Sequence, residues 1–249
     1  MSQALVLLLG LLSGTPQRPI TTPRELLAAM RARYDGKWYR TLTFVQHNTE
    51  RHADGTIGHS VWHEWLEAPG RLRIEIQPAD SGNGVLFAND SIFPFRNDSL
   101  RSARPFVHPL LVLGFDVYMQ PVEKTMAQLQ QPPRRFDLTV LSEGTWQGRP
   151  VWIVGAKAQF WVDKERLVFV RMLEPTPRDS TKTSETRFNK YRPLAGGWVS
   201  PEVEFLVDGQ QQFLEEYTEI QANVAIPPAF WDARQWKAAR AGRSTASGN

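Results

Sequence analysis

The sequence contains no cysteine. That excludes disulfides, thiolate metal sites, a cysteine nucleophile and a lipid-bearing N-terminal cysteine. It has no apolar run long enough to cross a bilayer, because the run from Ala4 to Leu12 is far short of the ~20 residues that a spanning helix needs. There is no Gly-rich phosphate loop and no G-x-S-x-G nucleophile turn. Internal repeats and domain linkers are also absent. An excess of one charge is nearly so. The formal net charge is +3, and Arg234, Lys237, Arg240 and Arg243 cluster near the C-terminus against the single acid Asp232. A nucleic-acid groove would put its basic excess on the folded body, so no nucleic-acid partner is expected.

What is present is an ordinary globular composition, with 41% hydrophobic and 22% charged residues, enough to bury a core. The 249 residues allow one large domain or two small ones. Nine Trp and 13 Phe fall mostly in extended-looking segments, which suits a broad pleated surface. The run Ala4 to Leu12, followed by Ser13-Gly14-Thr15-Pro16, has the length and flanks of a signal-peptide core, although no Lys or Arg precedes it. Residues 1–14 are therefore expected to be a cleaved export signal.

Thr22-Pro23-Arg24-Glu25 places an N-cap, a first-turn proline and a capping-box acid in order, and Leu26, Leu27, Met30 and Tyr34 recur at helical spacing. Strands are expected over 38–46, 57–67, 72–76, 85–87 and 92–95. The alternation of Leu72, Ile74 and Ile76 with charged or polar neighbours is the clearest. A short apolar segment, Pro109 to Gly114, and a helix over 121–131 follow. Further strands are expected over 136–143, 150–156, 159–162, 167–174, 183–191, 197–206 and 211–221, turning at Asn89-Asp90, Gln147-Gly148, Asp163-Lys164, Gly196-Gly197 and Asp208-Gly209. Such close spacing implies antiparallel pairing, since a parallel return needs a long crossover.

Two groups of residues invite a catalytic reading. His47, His52, His59 and His63 fall in one hairpin, but four residues along a strand separate His59 from His63 by roughly 13 Å. Only a cross-strand pair such as His47 and His63 can share an ion, with no carboxylate at ligand spacing. His63-Glu64 begins like a zinc-protease box, yet Glu67 stands where the second His belongs. Glu202 with Glu204, and Glu215 with Tyr217, share strand faces and read as solvated. The apolar positions admit either an ordinary sheet-on-helix core or a cavity, since a strongly curved sheet under a helical lid encloses more space than its side chains fill.

The order of segments then resembles a known family. Thr43-Phe44-Val45-Gln46, a hairpin, Glu67-Ala68-Pro69-Gly70-Arg71-Leu72-Arg73-Ile74, the Asn89-Asp90 turn, Pro109-Leu110-Leu111-Val112-Leu113 and Ile226-Pro227-Pro228-Ala229-Phe230-Trp231 resemble the periplasmic lipoprotein-sorting carriers (LolA/LolB-like) over about residues 22–231. The resemblance implies a strongly curved antiparallel sheet of eleven strands, mainly β, forming an incomplete barrel with helices over an apolar cavity. It implies shielding of acyl chains between the membranes of a Gram-negative cell. One departure is Ala68, where the family carrier has an Arg implicated in handing over cargo.

The expectations are these. A domain over 19–232 precedes a disordered basic tail over 233–249. The cavity is lined by Leu26, Met30, Leu66, Leu72, Ile74, Ile76, Leu110 and Leu113. The protein is a periplasmic, monomeric, non-catalytic carrier of acylated lipoproteins or lipids without a cofactor or metal, working between an inner-membrane donor and an outer-membrane acceptor. The alternatives are an envelope sensor or assembly factor of the same fold, and a metal-dependent hydrolase using the hairpin histidines.

Overall fold

The computed structural model describes residues 19–132 and 136–240. The expected signal over 1–14 and the tail beyond 240 lie outside the described residues. Helix α1 (Pro23–Tyr34) opens on the expected capping box: the Thr22 hydroxyl accepts from the Glu25 N–H at 3.2 Å, and the Glu25 carboxylate accepts from the Thr22 N–H at 3.0 Å. The first run of strands is β1 (Thr41–Arg51), β2 (Ile57–Glu67), β3 (Arg71–Ile76), β4 (Gly84–Ala88), β5 (Ser91–Arg96), β6 (Ser99–Leu100) and β7 (Arg104–Pro105). Two short helices follow, α2 (Pro109–Gly114) and α3 (Val122–Leu129). The second run is β8 (Leu141–Trp146), β9 (Arg149–Val154), β10 (Gln159–Asp163), β11 (Phe169–Pro175), β12 (Thr183–Asn189), β13 (Arg192–Leu194), β14 (Gly197–Val199), β15 (Glu202–Val207) and β16 (Gln210–Ala222).

One antiparallel sheet of fourteen strands runs β6-β5-β4-β3-β2-β1-β16-β15-β12-β11-β10-β9-β8, with β7 on β5, and it does not close. The fold is thus mainly β, an open half-barrel with helices on its concave side. The sheet exceeds the eleven strands of the resemblance. β13 and β14 form a separate hairpin, because Pro201 follows β14 and has no N–H to carry that strand into β15.

Curvature has a local cause. Registers slip by one residue between Thr43 and Val45 against β16, between Trp161 and Val162 against β11, and between Phe205 and Leu206 against β16. Opposite the first slip, Glu219 takes φ +51. Each bulge bends its strand and sharpens the twist. Tight hairpins fix the remaining registers. Asn89-Asp90, Gln147-Gly148 and Asp208-Gly209 have positive φ at both residues, the turn geometry that matches strand twist. The turn expected at Gly196-Gly197 falls one residue earlier, on Ala195-Gly196.

Packing overrides two further expectations. Phe136 to Val140 are not strand. The Asp137 carboxylate holds a turn by accepting from the Thr139 N–H and hydroxyl, while Phe136 meets Phe160 edge-on at 5.3 Å in the core. Nor does order stop at Asp232. A 3-10 turn over Ala233–Gln235 leads into a helical turn through residue 240, and Trp236 is buried, stacked on Phe95 at 4.2 Å on the convex face.

The main core lies at one end of the half-barrel, between α1, the short helices and the sheet. Tyr34, Trp38, Tyr39 and Tyr118 form its aromatic centre, with Trp38 stacked on Tyr118 at 3.8 Å. Their hydroxyls are satisfied by backbone: Tyr39 donates to the Trp198 carbonyl at 3.0 Å, and Tyr118 accepts from the Phe169 N–H at 3.3 Å.

Candidate functional site

Beside that core the concave face stays unfilled. A cavity of about 330 Å³ is bounded by β1, β2, β3, β12, β15 and β16 and covered by the segment Phe106 to Phe115, which contains α2. Strand period decides which side chains reach it. Phe44 and Gln46 of β1, Trp62, Glu64 and Leu66 of β2, Leu72 and Ile74 of β3, Val203 and Phe205 of β15, and Glu215 and Tyr217 of β16 all alternate inward.

Of the eight residues expected at the cavity, Leu66, Leu72, Ile74 and Leu110 line it. Leu26, Met30 and Leu113 are fully buried in the adjoining core. α1 packs against α3 and the 3-10 turn Asp116–Tyr118, so its apolar stripe faces helices. Ile76 stands two residues beyond Ile74, opposite Trp62, outside the lining.

The wall is not uniformly apolar, which corrects the sequence expectation. Glu64 is 5% exposed and lines the cavity. Burial, then the nearby Glu215, pushes its carboxyl well above the usual carboxylate range. Glu215 keeps contact with the cavity space but is otherwise enclosed by protein. Burial raises its carboxyl to about 7, although the Tyr217 hydroxyl, donating at 2.6 Å, and the Gln46 amide favour the charged form. Glu215 was expected on a solvated face. Its strand partner Val203 is buried, and that pairing turns Glu215 inward. Glu202 and Glu204 point the other way, pairing with Lys190 and Arg187. Glu174, Ser184 and Thr186 complete the polar part of the wall.

The hairpin histidines are not gathered. His47 stands opposite Val61, His63 opposite Val45 and His59 opposite Thr49, all away from the cavity. His47 Nε2 meets the Thr218 hydroxyl at 3.1 Å. Among the described residues no group of three His, Asp or Glu is placed to hold a metal ion.

A second, polar pocket of about 260 Å³ surrounds the β2–β3 turn, lined by Arg40, Glu67, Ala68, Arg71, Asp90 and Lys124 among others. Ala68 is buried there, with cationic side chains contributed by neighbouring positions rather than its own. Asp116 lies behind the turn, where its carboxylate accepts from the Gly70 N–H at 2.9 Å. Burial raises it to about 7.

Sequence reasoning missed the contribution of β12, β15 and β16, nearly half the wall. The alternation Val203, Phe205 was a usable signal. The acids Glu64 and Glu215 gave none, since a carboxyl facing solvent and one facing a cavity obey the same period.

No protein-family profile matches the chain. No curated protein matches it either. Among the described residues no helix is long and apolar enough to cross a membrane. Solved structures do match in fold. A DUF1329 family protein of Desulfovibrio piger superposes with a TM-score of 0.59 at 12% identity, covering 86% of this chain and 98% of that one. A domain classed with outer-membrane lipoprotein-sorting proteins, from Vibrio parahaemolyticus, gives 0.57 at 10% identity, covering 86% and 97%. A LolA superfamily protein of Nitrosomonas europaea gives 0.55 at 8% identity, covering 86% and 98%. The chain has a LolA-like fold.

Proposed function

We propose that this protein is a non-catalytic carrier that encloses acyl chains of a lipoprotein or lipid in the cavity beneath α2, and that it does so in the periplasm. The observation that carries this is the unfilled concave face. Its volume falls within the ~300–1,000 Å³ of small-molecule sites. Its aromatic and aliphatic wall removes acyl CH₂ groups from water at about 0.8 kcal/mol each. α2 is one and a half turns long and joined through exposed residues 101–105, so little structure has to move to admit a chain.

The test is binding of the neutral fluorophore N-phenyl-1-naphthylamine, followed by its displacement with a diacylated lipopeptide. Saturable enhancement that the lipopeptide reverses, and that Leu110→Asp abolishes, supports the carrier reading. Absence of saturable binding in the folded protein overturns it. Export is tested separately. Mature protein from its native cell should begin between about Ser13 and Arg18, and an intact Met1 would remove the periplasmic assignment.

A further inference from the structure

Two buried acids, Glu64 and Glu215, line the apolar cavity, and among the described residues no Lys or Arg does. Among the described residues Glu64 has no hydrogen-bond or ion-pair partner, although it is more than nine-tenths buried and lines the cavity. Among those residues Glu215 has the neutral Tyr217 hydroxyl and Gln46 amide as partners. Tyr217 donates to Glu215, and both acids push its hydroxyl upward. A buried polar group without a partner costs roughly 1–3 kcal/mol, and more if charged, so a wall serving only alkyl chains would do better with Leu or Gln at these positions. Among the described residues no group of three is placed there to hold a metal ion. A fatty-acid anion placed between Glu64 and Glu215 would meet two carboxyls.

The geometry points to an amphiphile bearing a protonated amine as the ligand of this cavity, its alkyl part against Leu72, Ile74 and Phe205 and its ammonium between Glu64 and Glu215. This rests on the carrier reading of the cavity and names its cargo class. An ammonium has three donors, which suits two carboxylates and the Tyr217 oxygen. In a water-poor site the pair gains more than it would in water. Burial raises both carboxyls above the ordinary carboxylate range in the empty protein, Glu215 to about 7. A cation seated between them favours the ionised forms, and the proton that Glu215 gives up on binding passes to the buffer.

The experiment is calorimetric titration near pH 7 with dodecylammonium below its critical micelle concentration and with 1-dodecanol below its solubility limit, in two buffers of different ionisation enthalpy. Dodecylammonium should bind at least about tenfold tighter and release protons. Glu64→Gln and Glu215→Gln, made separately, should each remove most of that preference and proton release while leaving dodecanol binding within about threefold. Because the two variants are independent, loss of folding in one leaves the other as the test. Equal affinity for the two ligands, or an unchanged preference in the folded variants, overturns the ammonium assignment and leaves the carrier reading standing. Failure of both ligands to bind overturns both. The other titratable groups facing the cavity, Glu174, His108 and Tyr217, are the same in all variants, so a difference between variants reports on Glu64 or Glu215.

Discussion

The guanidinium of Arg73 lies 4.0 Å from the centre of the Trp236 ring, and its Nη2 donates to the Trp236 carbonyl at 2.8 Å. Arg73 is fully buried, paired with Glu75 at 2.7 Å, and Phe230 closes over its other side. The C-terminal segment therefore lids a charge on the convex face. Trp236→Ala should cost about 3–5 kcal/mol in urea unfolding, as large aromatic truncations do. A chain ending at Asp232 should lose more, since the Arg240–Asp98 pair goes too. A loss under ~0.5 kcal/mol would mean that the segment is only draped on the sheet.

Gly84 lies beneath the same indole. A Cβ there would stand 2.1 Å from the Ile74 carbonyl oxygen and 2.7 Å from the Trp236 ring. Gly84→Ala should destabilise by about 1–3 kcal/mol and redden the Trp fluorescence as Trp236 is displaced. A variant with wild-type stability and spectrum would contradict this packing.

Ile74 and Leu26 separate wall from core. Leu26 is fully buried, so Leu26→Ala should cost about 2–5 kcal/mol. Ile74 faces the cavity and has fewer contacts to lose, so Ile74→Ala should cost about 1–2 kcal/mol. Ile74→Glu should fold, because cavity water solvates the new acid, yet lose the neutral fluorophore. Equal costs at the two positions, or undiminished binding by Ile74→Glu, would remove Ile74 from the wall.

Stability should depend on pH in a direction set by Glu215 and Asp116. Both are raised to about 7 in the folded protein and revert to the ordinary carboxylate range on unfolding. Between those limits the native state holds more protons than the unfolded state, so stability falls as pH rises and levels off above about 7. The effect is on the order of 3 kcal/mol for Glu215. Acids lowered by Arg partners, such as Asp163 and Glu185, act below that window. Glu215→Gln should flatten the profile between about pH 5 and 7. A wild type that gains stability over this range would show these carboxyls to be ionised.

How far the sequence was legible varies with what each residue depends on. The capping box at Thr22–Glu25 and the Asn89-Asp90 turn are local chemistry, and both appear where the residues place them. The β2–β3 alternation gave the correct inward face for Leu66, Leu72 and Ile74. Leu26 and Met30 were legible as buried, but whether a buried face meets a cavity or another helix depends on α3, a hundred residues away. Trp236 was hidden for a related reason. A basic, Ala- and Gly-rich surround reads as tail, and only Arg73, emerging on the other face of β3, gives that indole something to cover. The same holds for Glu64 and Glu215, whose setting is made by β1, β2 and β16 together.

The pairing of β1 with β16 has a kinetic consequence. β2 to β6 each pair with the strand just before them, and β9 to β12 do likewise, so both meanders assemble from near neighbours. They meet at one seam, where Leu42 faces Ala222 and Val45 faces Thr218. Closing that seam spans most of the chain, so its loop entropy is paid late and it joins last. Until β16 is available, β1 offers an open edge and the concave face has no floor. A polypeptide of this topology stays incomplete while its C-terminal strands are still being made or threaded through a pore, and it gains its interior only when the final long strand arrives.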